Sequence, residues 1–171
     1  KQIFSGEPEE NTFRFCFVRN PLTWYESFWR FKVSIGWEPD GDELDKWDWH
    51  PNSMLNGLGD DDFNQFVRNV TKKRPGYVTE LYGWYTKTGI HFVGKQEDLV
   101  DGLIKVLRVL NLNFDEDFVR NFEPQNTSDY AKYPVAWDKA LRKDVERLEY
   151  AGIVRYGYER MVDEAIAVTA P

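Results

Sequence analysis

The stretch FCFVRNP, residues 15–21, constrains the fold of this 171-residue chain more than any other. Phe15, Phe17 and Val18, with Cys16 between them, form a near-continuous apolar run. Such a run predicts a strand covered on both faces, as in a parallel sheet. It stops on Arg19, and Asn20 and Pro21 then have the form of an N-cap followed by a first-turn proline. The helix they open carries Trp24, Phe28 and Phe31 on one side. Arg19 therefore falls at the carboxyl end of a buried strand, directly before a helix N-terminus. In open α/β sheets that end is where ligands bind, and a helix N-terminus favours anions. The local chemistry points to an anion site.

Further along, residues 36–59 form a Gly-, Pro-, Asp- and Trp-rich excursion without periodicity, of a length that is usually functional or mobile inside a domain. The acidic start of GDDDF (59–63) precedes a helical stripe of Phe63, Phe66, Val67 and Val70. RPGY (74–77) breaks it, and Leu81, Tyr82 and Tyr85 predict another helix. IHFVG (90–94) is a short strand ending in glycine, with His91 expected to be a packed side chain. It feeds the amphipathic series Leu99, Leu103, Val106, Leu107 and Leu110. A short helix is predicted over 115–121, a loop over 124–134, a helix through Trp137, Leu141, Val145 and Leu148, and a last one from Tyr158 to Ala167. Two strands, each followed by a helix, predict a single α/β domain with a parallel sheet flanked by helices. Two strands are few for a whole sheet, so further N-terminal material is expected.

The charge balance excludes some partners. Twenty-nine acids against 22 bases leave a net charge of −7, whereas a nucleic-acid-binding surface needs the opposite sign. No nucleic-acid partner is expected. No apolar run approaches the roughly 20 residues that span a bilayer, so no membrane span is expected either. The single Cys16 has no internal disulfide partner and is read as a packing thiol. One cysteine and two histidines without ligand spacing predict no metal site.

Four segments together resemble the sulfotransferase family, in its carbohydrate and membrane-type branch. FRFCFVRNPLTWYESFWRF (13–31) is similar to the family's 3′-phosphate segment, in which a strand ends in Arg, Pro follows, and Ser comes eight residues after the Arg. Those positions are Arg19, Pro21 and Ser27. HFVGKQEDLVDGLIKVLRVL (91–110) resembles the later strand and helix, with Gly94, Lys95, Glu97 and Leu99. NTSDYAKY (126–133) is similar to the late Asn-x-Ser loop, and RYGYE (155–159) to the terminal aromatic-Gly-Tyr motif. The resemblance implies a P-loop-like sulfotransferase fold and transfer of a sulfuryl group from 3′-phosphoadenosine 5′-phosphosulfate to a hydroxyl or amine of a glycan or small molecule. The product nucleotide is then 3′,5′-adenosine bisphosphate. Arg19 and Ser27 are implied to hold the 3′-phosphate, a task suited to a planar, permanently charged fork. Lys95 is implied to contact donor phosphate or nucleotide, and Asn126, Ser128 and Lys132 to close over the donor, while Glu97 is placed to stabilise the N-terminus of the following helix.

The chain departs from that pattern upstream. The family's lysine-bearing Gly/Thr/Ser loop for the 5′-phosphosulfate precedes the Arg segment, and residues 1–14 contain none. The upstream histidine base is missing as well, which leaves His50 as a weak candidate base. The residues as given are therefore expected not to catalyse transfer alone, and the alternative is a non-catalytic nucleotide- or partner-binding module that retains the fold. A kinase-like reading would need a Walker loop, for which no segment qualifies. Trp37, Trp47 and Trp49 in the excursion either stack on an acceptor or pin the loop to the core. Acidic surroundings favour a neutral acceptor. The expected compartment is the cytoplasm, or the Golgi lumen if an N-terminal anchor has been removed.

Overall fold

A computed structural model of the chain describes residues 12–39, 50–87, 89–125, 127 and 129–159. They form a mixed α/β structure that divides into two compact units. Unit 1 comprises residues 1–19 and 83–127, and unit 2 comprises residues 20–82 and 128–171.

In unit 1, β1 (Phe15–Val18) and β2 (Phe92–Lys95) pair in parallel, as the apolar runs predict. Phe15 lies opposite Phe92, Phe17 opposite Gly94 and Val18 opposite Lys95. The pairing is extended by Arg14: the His91 amide donates to its carbonyl at 2.9 Å, and its own amide donates to His91 Nδ1 at 3.0 Å. His91 is thus an exposed side chain stacked on Phe13, with centroids 5.2 Å apart, and not a packed one. Alternation puts Phe15, Phe17, Phe92 and Gly94 on one face. The helix α4 (Leu99–Val109) meets that face through Gly102, where an added β-carbon would lie 2.6 Å from Cε1 of Phe17. The absent side chain is what lets the ring in. A short helix α5 (Glu116–Arg120) is tied to α4 by Arg108–Glu116 and by Arg120–Asp101 at 2.8 Å. Among the described residues, the strands are not covered on both faces, contrary to the expectation. Phe15 is 41% exposed, and Val93, Leu99, Val109, Leu112, Phe118 and Phe122 are exposed with it.

Unit 2 is helical. Asn20 caps α1 (Pro21–Ile35), its Oδ1 accepting from the Leu22 amide at 2.9 Å. Gly36, in the left-handed region at φ 104°, ends the helix by donating its N–H to the Lys32 carbonyl. Asp62 caps α2 (Phe63–Lys73) by accepting from the Gln65 amide at 2.8 Å, and Phe63, Phe66, Val67 and Val70 are all buried, as the stripe predicts. The buried face of α1 differs from the predicted one: Leu22, Tyr25, Phe28 and Trp29 face the core, while Phe31 is 54% exposed. Trp24 and Phe28 stack at 4.9 Å and 8°, and Phe28 packs in turn on Phe66 at 6.0 Å. Each buried aromatic or aliphatic side chain contributes about 1.5–3 kcal/mol.

The helix α3 (Tyr77–Tyr85) crosses the boundary between the units after Tyr82. Its start is capped from a distance. Glu149 is fully buried between α6 (Lys139–Leu148) and α7 (Tyr150–Arg155), and its carboxylate accepts from the amides of Val78 at 3.1 Å and Thr79 at 2.7 Å. The hydroxyls of Tyr25, at 2.9 Å, and Thr79, at 2.7 Å, also donate to it. Burial, followed by the nearby Glu149 charge, pushes the Tyr25 hydroxyl well above its usual pKa. The helix α7 is not announced by any periodic apolar stripe in the sequence. All but the first two residues of the last predicted helix, 158–167, lie outside the described residues.

Candidate functional site at the carboxyl end of the strand pair

Parallel register decides which cations share an end of the sheet. Because Val18 lies opposite Lys95, Arg19 follows β1 at the same carboxyl end where Lys95 terminates β2. Both residues are half-buried, and neither is without a partner. This is the edge where backbone dipoles and loops of an α/β sheet receive ligands. Lys95 also heads the 3-10 turn Gln96–Asp98, which leads into α4 with Glu97 exposed in its first turn. Half-buried Cys16 belongs to β1, and burial raises its thiol pKa, which holds it protonated.

In the chain, Asn20 follows Arg19 and opens α1 with Pro21, so the predicted capped start is realised. Ser27 is half-buried on the second turn of that helix, in unit 2. Lys132, also in unit 2, is exposed in an irregular segment. Its amide donates to Asp129 Oδ1 at 2.8 Å, its Nζ lies 5.1 Å from the Tyr133 ring centre, and a hydrogen bond with Tyr133 raises its pKa. Arg19 and Lys95 therefore both lie at the carboxyl end of the strand pair, within unit 1, whereas Ser27 and Lys132 belong to unit 2. Asn126 and Ser128 lie outside the described residues.

His50 has a local occupation. It caps the 3-10 turn Pro51–Leu55, its Nδ1 accepting from the Asn52 amide at 3.1 Å. An acceptor nitrogen must be unprotonated, and burial also lowers the pKa of this imidazole. Trp37 packs into unit 2 with its ring 5.1 Å from Phe66, and its indole N–H donates to Asp61 at 3.4 Å. It also closes over Gly59, where an added β-carbon would lie 2.2 Å from its Cδ2. Trp37 pins the excursion to the core. Trp47 and Trp49 lie outside the described residues.

A further group of residues gathers around Arg30, beside the segment that carries Lys132. Arg30 of α1 is only 6% exposed, and its Nε donates to the Tyr133 carbonyl at 3.0 Å. The Tyr130 ring lies 4.4 Å from its guanidinium carbon, and Glu26 pairs with Nη1 at 3.4 Å. Glu26 also accepts from the Trp137 indole at 2.8 Å. The available signal was the Glu26–Arg30 spacing of four on one helix face.

Fold and site thus define an α/β protein with two cations at the carboxyl end of a parallel strand pair. Comparisons with family models, curated proteins and solved structures found no match to this chain. Among the described residues, no helix is long and apolar enough to cross a membrane.

Proposed function

We propose that this chain carries the 3′-phosphate-binding part of a sulfotransferase-like domain, which binds 3′-phosphoadenosine 5′-phosphosulfate and directs its sulfuryl group to a hydroxyl or amine. The observation that carries this reading is the opposition of Val18 and Lys95, which gives Arg19 and Lys95 one sheet end immediately before the Asn20-capped helix. A dianionic phosphate suits two such cations, because a guanidinium fork binds two of its oxygens and an ammonium adds charge; the Ser27 hydroxyl enters the proposal through the sequence resemblance. In the transfer itself the bond from sulfur to the 5′-phosphate bridging oxygen breaks and a bond from sulfur to the acceptor atom forms. The acceptor proton must pass to a base. His50 is occupied as a helical cap, which favours, as a second reading, a nucleotide-binding module without chemistry of its own.

Calorimetric titration with 3′,5′-adenosine bisphosphate tests the site. Loss of a charge-assisted contact in Arg19→Ala should weaken binding roughly ten- to hundredfold. Ser27→Ala should weaken it less. Unchanged affinity in a folded Arg19→Ala protein would remove Arg19 from the site. Labelled-sulfate transfer to neutral glycans and phenols then separates an enzyme from a binding module.

A further inference from the structure

The segment from Asp129 to Trp137 is mostly exposed and contains no helix or strand, yet it is fastened to unit 2 at several points. Asn64 donates through Nδ2 to the Ala136 carbonyl at 2.9 Å and accepts from the Asp138 amide at 2.8 Å. Trp137 bonds Glu26 and packs edge-on against Phe63, with centroids 4.7 Å apart. Arg30 makes the remaining fastening and is the costliest of these residues to bury, because a desolvated guanidinium must be matched by partners. Its partners are the Tyr133 carbonyl, the Tyr130 ring and Glu26, so two of its three contacts hold the segment itself.

The position of Arg30 gives that anchor a direction. It sits one turn beyond Ser27 on α1, and the carbonyl it holds belongs to the residue after Lys132. One helix turn therefore carries both a proposed donor contact and the clamp on the segment bearing another. We propose that Arg30 is a positioning residue: it holds residues 129–137 against α1 so that Lys132 serves the same anionic donor as Ser27. This rests on the sulfotransferase-like reading of the site. Arg30 itself does not touch the donor and acts through Lys132.

A double-mutant cycle read by calorimetry with 3′,5′-adenosine bisphosphate tests it, because a residue acting through another loses its effect when that other is removed. Arg30→Ala should weaken binding roughly tenfold when Lys132 is present and less than twofold in a Lys132→Ala background. Arg30→Lys keeps the charge but lacks the planar fork and the Nε donor, and should recover only part of the affinity. It also serves as the working variant should the alanine form not fold. Hydrogen exchange should show faster exchange of the residue 129–137 amides in both Arg30 variants and unchanged exchange in Lys132→Ala. Equal losses from Arg30→Ala in both backgrounds, with the unaltered protein binding normally, would overturn the positioning role alone. Absence of binding by the unaltered protein would instead overturn the sulfotransferase-like reading, and the positioning role with it.

Discussion

The two units differ in how they spend their apolar side chains. Unit 2 buries Tyr25, Phe66, Val67, Val70, Tyr77, Val78 and Val145 completely and links its aromatics ring to ring. Among the described residues, unit 1 packs its strand pair against α4 and leaves Phe15, Val93, Leu99, Val109, Leu112, Phe118 and Phe122 exposed. The cations at the sheet end, Arg19 and Lys95, belong to the open unit, while Ser27 and the clamped Lys132 segment belong to the dense one. Local stability follows buried contact density, so opening of unit 1 requires less free energy than opening of unit 2.

The sharpest way to break this comparison is to cut the same residue type from each unit. Phe66→Ala, in unit 2, should cost about 3–5 kcal/mol in denaturant unfolding, because a cavity opens among packed rings. Phe118→Ala, in unit 1, removes a ring that is 64% exposed and should change stability by no more than about 0.5 kcal/mol. Similar losses at both positions would show that the contrast in burial carries no energetic weight.

The next effect concerns how unit 2 is stitched. Glu149→Gln preserves the shape but turns an amide group toward donors that need an acceptor, and should cost about 1–3 kcal/mol. A melting temperature within a degree of the unaltered protein would mean that the cap on α3 is dispensable.

The smallest effect is one of pH. Burial holds His50 below its usual pKa of about 6.5, so the folded state favours the neutral ring. The sign follows: its stabilising contribution is complete above about pH 6.5 and is lost as the pH falls through the lowered folded value. His50→Asn keeps a cap acceptor that does not titrate. Melts between pH 7 and pH 5 should show a slightly shallower acid dependence for this variant, and identical slopes would refute the assignment.

Much of the fold was legible in the sequence because its signals act over a few residues. The Asn20–Pro21 start, the Asp62 cap and the Phe63–Val70 stripe each use partners within one or two helical turns, and each is realised. The runs at 15–18 and 90–94 are long enough to mark strands, realised as Phe15–Val18 and Phe92–Lys95, and an apolar run is also the sequence form of a parallel partner. Coverage of those strands was not legible. The same apolar run is written whether a second layer is present or not, which is why Phe15 and His91 are more open than expected. Phe31 likewise lies on the apolar arc of α1, but the neighbouring helices meet the arc on its Leu22–Tyr25–Trp29 side.

What the amino-acid sequence determined by itself is therefore most of the element order up to α6 and the local caps, and it offered Arg19 and Ser27 as candidate anion residues. What only the tertiary structure decided is which distant groups share a charge. Tyr25 and Glu149 are 124 positions apart, and Arg30 and the Tyr133 carbonyl are 103 apart. Their types alone predict a surface acid and a surface base, because burying either charge is unfavourable until several donors or acceptors converge on it. That convergence exists only once the helices have packed, so Glu149 as a cap and Arg30 as a clamp became visible in the fold alone.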